Sequence, residues 1–134
     1  MIAALDHVVL TTRDERACVR FYTEVLGMRL EAFGEGRRAF AFGAQKINLH
    51  VYGREFEPRA HLPVPGSQDW CFVADRPLEA VVAALREHGV EIELGPVART
   101  GAAGPITSVY VRDPDLNLIE IATYDAAAPS AARA

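Results

Sequence analysis

The stretch QKINLHVYG (Gln45–Gly53) alternates Ile47, Leu49 and Val51 with Asn48, His50 and Tyr52, the period-two pattern of a strand with one face buried. A second run, LNLIEIATY (Leu116–Tyr124), sets Glu120 between Ile119 and Ile121 in the same way. An ionisable group placed in an apolar strand costs several kcal/mol unless it is paired or holds a metal. Two such placements in a short chain ask for a common cause.

Outward from the first run, Leu5–Thr11 reads as a strand. Asp14 suits a helix N-cap, and Cys18, Phe21, Tyr22 and Val25 form a helical stripe that Gly27 stops. Strands are expected at 28–33, 38–42 and 47–52, parted by the turn-prone residues 34–36 and 43–45. Residues 54–68, REFEPRAHLPVPGSQ, carry three prolines and no periodicity, so they read as a connection. Then the order returns: a strand at 69–75, a helical stripe of Leu78, Val81, Val82 and Leu85 ending at Gly89, and strands at 91–97, 107–112 and 118–124. The same interval separates His7 from Gly27 and Asp69 from Gly89, which marks an internal repeat. The expected fold is α+β: one domain over 1–134, built of two paired βαβββ modules (4–53 and 69–125) around a cleft. The tail 126–134 is expected to be flexible.

Composition bounds the function. At 134 residues, with 50% hydrophobic and 24% charged residues, the chain suits a globular domain. A net charge of −4 argues against nucleic acid as partner, and no apolar run approaches the ~20 residues of a membrane span. The start MIAALDHVVL lacks the basic region of a signal peptide, so a cytoplasmic location is expected. Cys18 and Cys71 form no CxxC motif and read as packing residues.

Superimposing the halves pairs His7 with Asp69 and His50 with Glu120. If the first and last strands of each module are neighbours, these four would converge on one divalent ion: Zn, Ni, Fe or Mn. Each residue also has a structural role open to it. His7 could bond backbone, Asp69 could cap a turn, and Glu120 could pair with an arginine.

The segments LDHVVLTTRD, FYTEVLGM, KINLH and RDPDLNLIEI resemble the vicinal oxygen chelate superfamily, which includes glyoxalase I, extradiol dioxygenases and fosfomycin- and bleomycin-resistance proteins. The likeness runs from about residue 4 to 125. With GREFEP, PVPGSQD and LGPVARTGAAGPI it narrows to the glyoxalase domain-containing protein five group. The resemblance implies paired βαβββ modules, a homodimer and a metal held at His7, His50, Asp69 and Glu120. Glyoxalase I has a glutamate at the position read as His50 and a histidine where this chain has Asp69. Extradiol and fosfomycin enzymes also place a histidine at Asp69. Leu116 replaces the glycine common in DPDGN turns, at a cost of about 1 kcal/mol if its φ is positive.

The expected activity is that of a metal-dependent glyoxalase-like lyase or isomerase. Its substrate would be a small vicinal-oxygen compound, such as an α-ketoaldehyde–thiol adduct, passing through a metal-stabilised enediolate. Glu120 is the candidate base and His50 the reserve. Arg54, Phe56, Arg59 and Arg99, drawn from the long connections, and Cys71 are candidate substrate contacts. The alternatives are a non-haem iron extradiol-type dioxygenase and a non-catalytic antibiotic- or metabolite-binding protein.

Overall fold

The computed structural model describes residues 1–125, so the expected flexible tail at 126–134 lies outside the described residues. Among the described residues eight strands form two four-stranded mixed sheets, with few and short helices. The strands are β1 (His7–Thr12), β2 (Arg29–Phe33), β3 (Arg37–Phe42), β4 (Gln45–Val51), β5 (Asp69–Val73), β6 (Leu94–Gly101), β7 (Gly104–Arg112) and β8 (Leu118–Tyr124). Their orders are β1-β4-β3-β2 and β5-β8-β7-β6, so each module's first and last strands are neighbours and run parallel. The chain divides into two units: residues 1–68 with the short segment Asp113–Asn117, and Asp69–Arg112 with the residues from Leu118 onward.

In the first unit, Asp14 caps helix α1 (Glu15–Arg20) through its side chain, which accepts from the Ala17 amide at 3.1 Å. The helix continues as a π-helical turn over Phe21–Val25, closed by the Leu26 amide donating to the Phe21 carbonyl. That widening turns both Phe21 and Tyr22 into the core, and Tyr22 stacks on Phe40 of β3 at 5.0 Å. Leu10, Ile47 and Phe40 are fully buried, each worth on the order of 2 kcal/mol. Since Phe40 pairs with Ile47, the other face of the sheet carries Arg37, Ala39, Asn48 and His50.

Segment Asp113–Asn117, the DPDLN turn between β7 and β8, is held in this first unit by a buried carboxylate. Asp113 is 3% exposed. Its Oδ2 accepts from the Tyr22 hydroxyl and from Asn117 Nδ2, both at 2.8 Å. Its Oδ1 accepts the Asp115 and Asn117 amides, both at 2.9 Å. Asp115 in turn accepts from the Thr12 hydroxyl and the Arg13 amide. Gly66 meets the same turn: a Cβ there would lie 2.7 Å from the Asp115 carbonyl. Leu116 does take a positive φ, +69°, in the place where glycine is common.

In the second unit, α2 (Leu78–Glu87) buries Leu78, Val81 and Leu85, as the stripe predicts. The reading differs at β6. The strand runs Leu94–Gly101, not 91–97, and pairs through a tight turn with a longer β7, Gly101 facing Gly104. The segment ARTGAAGPI is therefore a hairpin and not a long connection. A register irregularity between Leu94 and Val97 broke the alternation that would have shown the strand.

Candidate functional site

Within the first sheet, parallel pairing sets His7 beside Lys46, Val9 beside Asn48 and Thr11 beside His50. All six share the face turned away from α1. His7 and His50 are four rungs apart, about 13 Å along the strands at ~3.3 Å per residue, too far for both to hold one ion. His7 is partly exposed, and its Nδ1 meets Asp6 Oδ1 at 2.7 Å, which leaves Nε2 as the outward nitrogen. Asn48 is 5% exposed, and its Oδ1 is buried without a hydrogen-bond partner. A buried amide oxygen left unpaired costs about 1–3 kcal/mol, so it is a group waiting for a donor or a cation.

His50 is 3% exposed. Arg37 Nη2 lies 3.4 Å from its Nε2, and the Phe56 ring meets it edge-on at 5.6 Å. Burial, followed by the Arg37 charge, pushes its pKa down and keeps the imidazole neutral. The connection 54–68 runs beside this end of the sheet and borders an open cleft of about 400 Å³, lined by Val9, Thr11, His50, Arg59, Leu62 and Val64 among others, with Leu62 and Val64 exposed at its rim. Arg59 is engaged with Glu57 at 3.2 Å. Arg54 and Phe56 line a smaller cavity of about 220 Å³ beside the Glu15–Arg38 ion pair.

In the second sheet Asp69 pairs with Leu118 and Cys71 with Glu120. Glu120 is half-buried, and its Oε2 accepts from the Ser108 hydroxyl at 2.6 Å, Ser108 itself being fully buried. Among the described residues no ion pair involves Glu120, so a neutral hydroxyl stands where an arginine could have been. Desolvation and the neighbouring Glu120 carboxylate push the Cys71 thiol up to about 11. Arg99 lies on β6 and donates to the Tyr110 hydroxyl at 3.0 Å; Tyr110 pairs with Glu120 across β7 and β8.

The registers correct the superposition of the halves. His7 and Asp69 open equivalent strands, paired with Lys46 and Leu118. Two residues further along β4 and β8 come Asn48 and Glu120, so Asn48 is the counterpart of Glu120, and His50 is that of Ala122. A slip of two residues leaves every side chain on its original face, and apolar alternation does not detect it. His50 thus leaves the donor set, and the two-histidine triad considered for an iron dioxygenase goes with it. Among the described residues no group of three or more His, Cys, Asp or Glu side chains is gathered to hold an ion.

Residues 4–121 match the model of the Glyoxalase/Bleomycin resistance protein/Dioxygenase superfamily. The chain belongs to that superfamily. A second line of support is the glyoxalase domain-containing protein RDO1 of Mycosarcoma maydis. It is 54% identical over 123 residues, covering 92% of this chain and 69% of that one. Virulence protein STM3117 of Salmonella typhimurium is 52% identical over 92% of this chain and 86% of its own. Its crystal structure superimposes with a TM-score of 0.91 over 93% of this chain and 99% of that one. Lactoylglutathione lyase from Agrobacterium tumefaciens is 22% identical, with a TM-score of 0.70 over 92% of this chain and 95% of that one, and shares the fold. Superfamily membership accounts for the two mixed sheets and the repeated βαβββ order. Among the described residues, no helix is long and apolar enough to cross a membrane.

Proposed function

We propose that the protein is a metal-dependent glyoxalase-like lyase or isomerase acting on a small vicinal-oxygen substrate. The supporting observation is Glu120, a half-buried carboxylate with no cationic partner among the described residues and one oxygen fixed by Ser108. Such a group is matched either by a metal or by a proton in transit. The proposed donors are His7 and the orphaned Asn48 Oδ1 from the first sheet and Asp69 and Glu120 from the second, which no single described chain gathers but whose types suit Zn, Ni, Fe or Mn. The Asp6 carboxylate on His7 Nδ1 is the kind of outer contact that orients a ligating imidazole. In the proposed homodimer, the two sheets supplying these donors can belong to different copies.

A divalent ion held there would supply Lewis acidity, easing loss of a C–H proton next to the substrate's oxygens. Glu120 takes that proton on Oε1 as the C–H electron pair moves toward the carbonyl oxygen, then returns it to the adjacent carbon. Ser108 keeps Oε2 in place, so the base does not swing with each turnover. Arg99, steadied by Tyr110 on the rung of Glu120, is suited to a substrate carboxylate, and Cys71 lies beside the base.

The test is metal content of the purified protein by elemental analysis, together with turnover of the methylglyoxal–glutathione adduct. Glu120→Gln should fold and lose at least about 100-fold in kcat. His7→Ala should lose bound metal. Full activity in Glu120→Gln, or no turnover with any of the four metals restored, would refute the proposal.

A further inference from the structure

On the α1-distal face of the first sheet, Arg37 takes no part in the proposed chemistry. Its guanidinium lies over two aromatic rings, 5.1 Å from the Phe33 centroid and 4.9 Å from that of Phe56. Its Nη2 reaches toward buried His50. Lys46 Nζ sits 3.8 Å from the same Phe33 ring, which brings a second positive charge to the spot. Among the described residues neither cation forms an ion pair. The carboxylates that flank His50 in sequence space are engaged: Glu55 accepts from the Gly53 amide and Glu57 from Arg59. Two half-buried cations ordered on aromatic faces, in a chain of net charge −4, have the charge and geometry that suit an anion.

His50 joins this pair of cations to the cleft beside residues 54–68, since it touches both Arg37 and the cleft wall. That wall is chiefly apolar (Val9, Leu62 and Val64), and its volume of about 400 Å³ suits a compact organic body. We propose that the first unit binds a small aromatic or branched organic acid, its carboxylate on Arg37 and its apolar part in the adjoining cleft. Arg37 provides a planar fork for two oxygens, and Lys46 supplies the field that draws the anion in. This site stands on the first unit alone and does not rest on the metal reading.

The test uses the full chain and benzoate as probe, followed by calorimetry and by amide chemical shifts, with benzamide and inorganic phosphate as comparisons. Titrations are run with a chelator and again with metal restored. Saturable benzoate binding is expected in both, at least about tenfold tighter than benzamide, and weakened at least about tenfold in Arg37→Gln. Arg37→Lys keeps the charge without the planar fork and should also bind several-fold more weakly. It serves as the test should the Gln variant fail to fold. Unchanged affinity in a folded Arg37 variant overturns the assignment. So does benzoate binding that appears only with metal, or phosphate binding more tightly than benzoate.

Discussion

Replacing Asp113 should cost more stability than any other single polar substitution in the first unit. Its carboxylate takes four hydrogen bonds while 3% exposed, and two of the donors, the Tyr22 hydroxyl and the Asn117 amide group, belong to fully buried residues. Asp113→Ala removes the acceptor of both. At about 1–3 kcal/mol for each hydrogen bond lost by a buried donor, plus a smaller loss for the two backbone amides, the penalty is about 3–5 kcal/mol. For a chain of this size that lowers Tm by about 10–20 °C. Asp113→Asn is the sharper probe because it keeps the shape. Three of the four donors, the two backbone amides on Oδ1 and Asn117 Nδ2 on Oδ2, cannot accept, so whichever way the new amide turns, its NH₂ confronts at least one of them. A loss of about 2 kcal/mol or more is expected. Tyr22→Phe removes the donor instead of the acceptor and should cost about 1 kcal/mol. Urea unfolding with a comparison of m-values checks all three. Asp113→Asn within about 0.5 kcal/mol of the parent would refute the account of this turn as donor-saturated.

Leu116→Gly relieves a left-handed backbone at an exposed position and should raise stability by up to about 1 kcal/mol, measured by the same unfolding curves. Ser108→Ala frees Glu120 Oε2 and should weaken metal retention about tenfold, read by competition with a chelating dye. Burial pushes the Cys18 thiol up to about 12 from its usual 9.0, so in the folded state it stays protonated where the unfolded chain ionises. Its contribution to stability is therefore full below pH 9 and falls as pH rises toward 12. Labelling with a thiol reagent at pH 8 should reach Cys18 only after denaturant is added.

The repeated βαβββ order was legible because β4 and β8 alternate apolar and polar residues along most of their length, β1 is rich in Val and Leu, and a glycine follows each helix. The proposed donors His7, Asp69 and Glu120 were visible because each is a polar residue in or opening an apolar strand. Asn48 was passed over because an amide in such a run reads as ordinary edge polarity, and only its orphaned oxygen marks it. Arg37 had no signal at all. In EGRRAF it looks like one of two turn-flanking charges, and Phe33 and Phe56, which hold it, lie on other segments. Arg99 was read as loop because a register irregularity interrupts β6 before it.

The interleaving of Asp113–Asn117 with residues 1–68 bears on how the chain is made. A ribosome that has released the first 68 residues has released a half whose Tyr22 and Thr12 hydroxyls have yet to meet Asp113 and Asp115. That half must wait for some fifty more codons before it closes. Gene fragments cut after Gln68 should accordingly yield insoluble or protease-sensitive product from the amino-terminal piece, and adding a DPDLN-bearing carboxyl-terminal piece in trans should restore it.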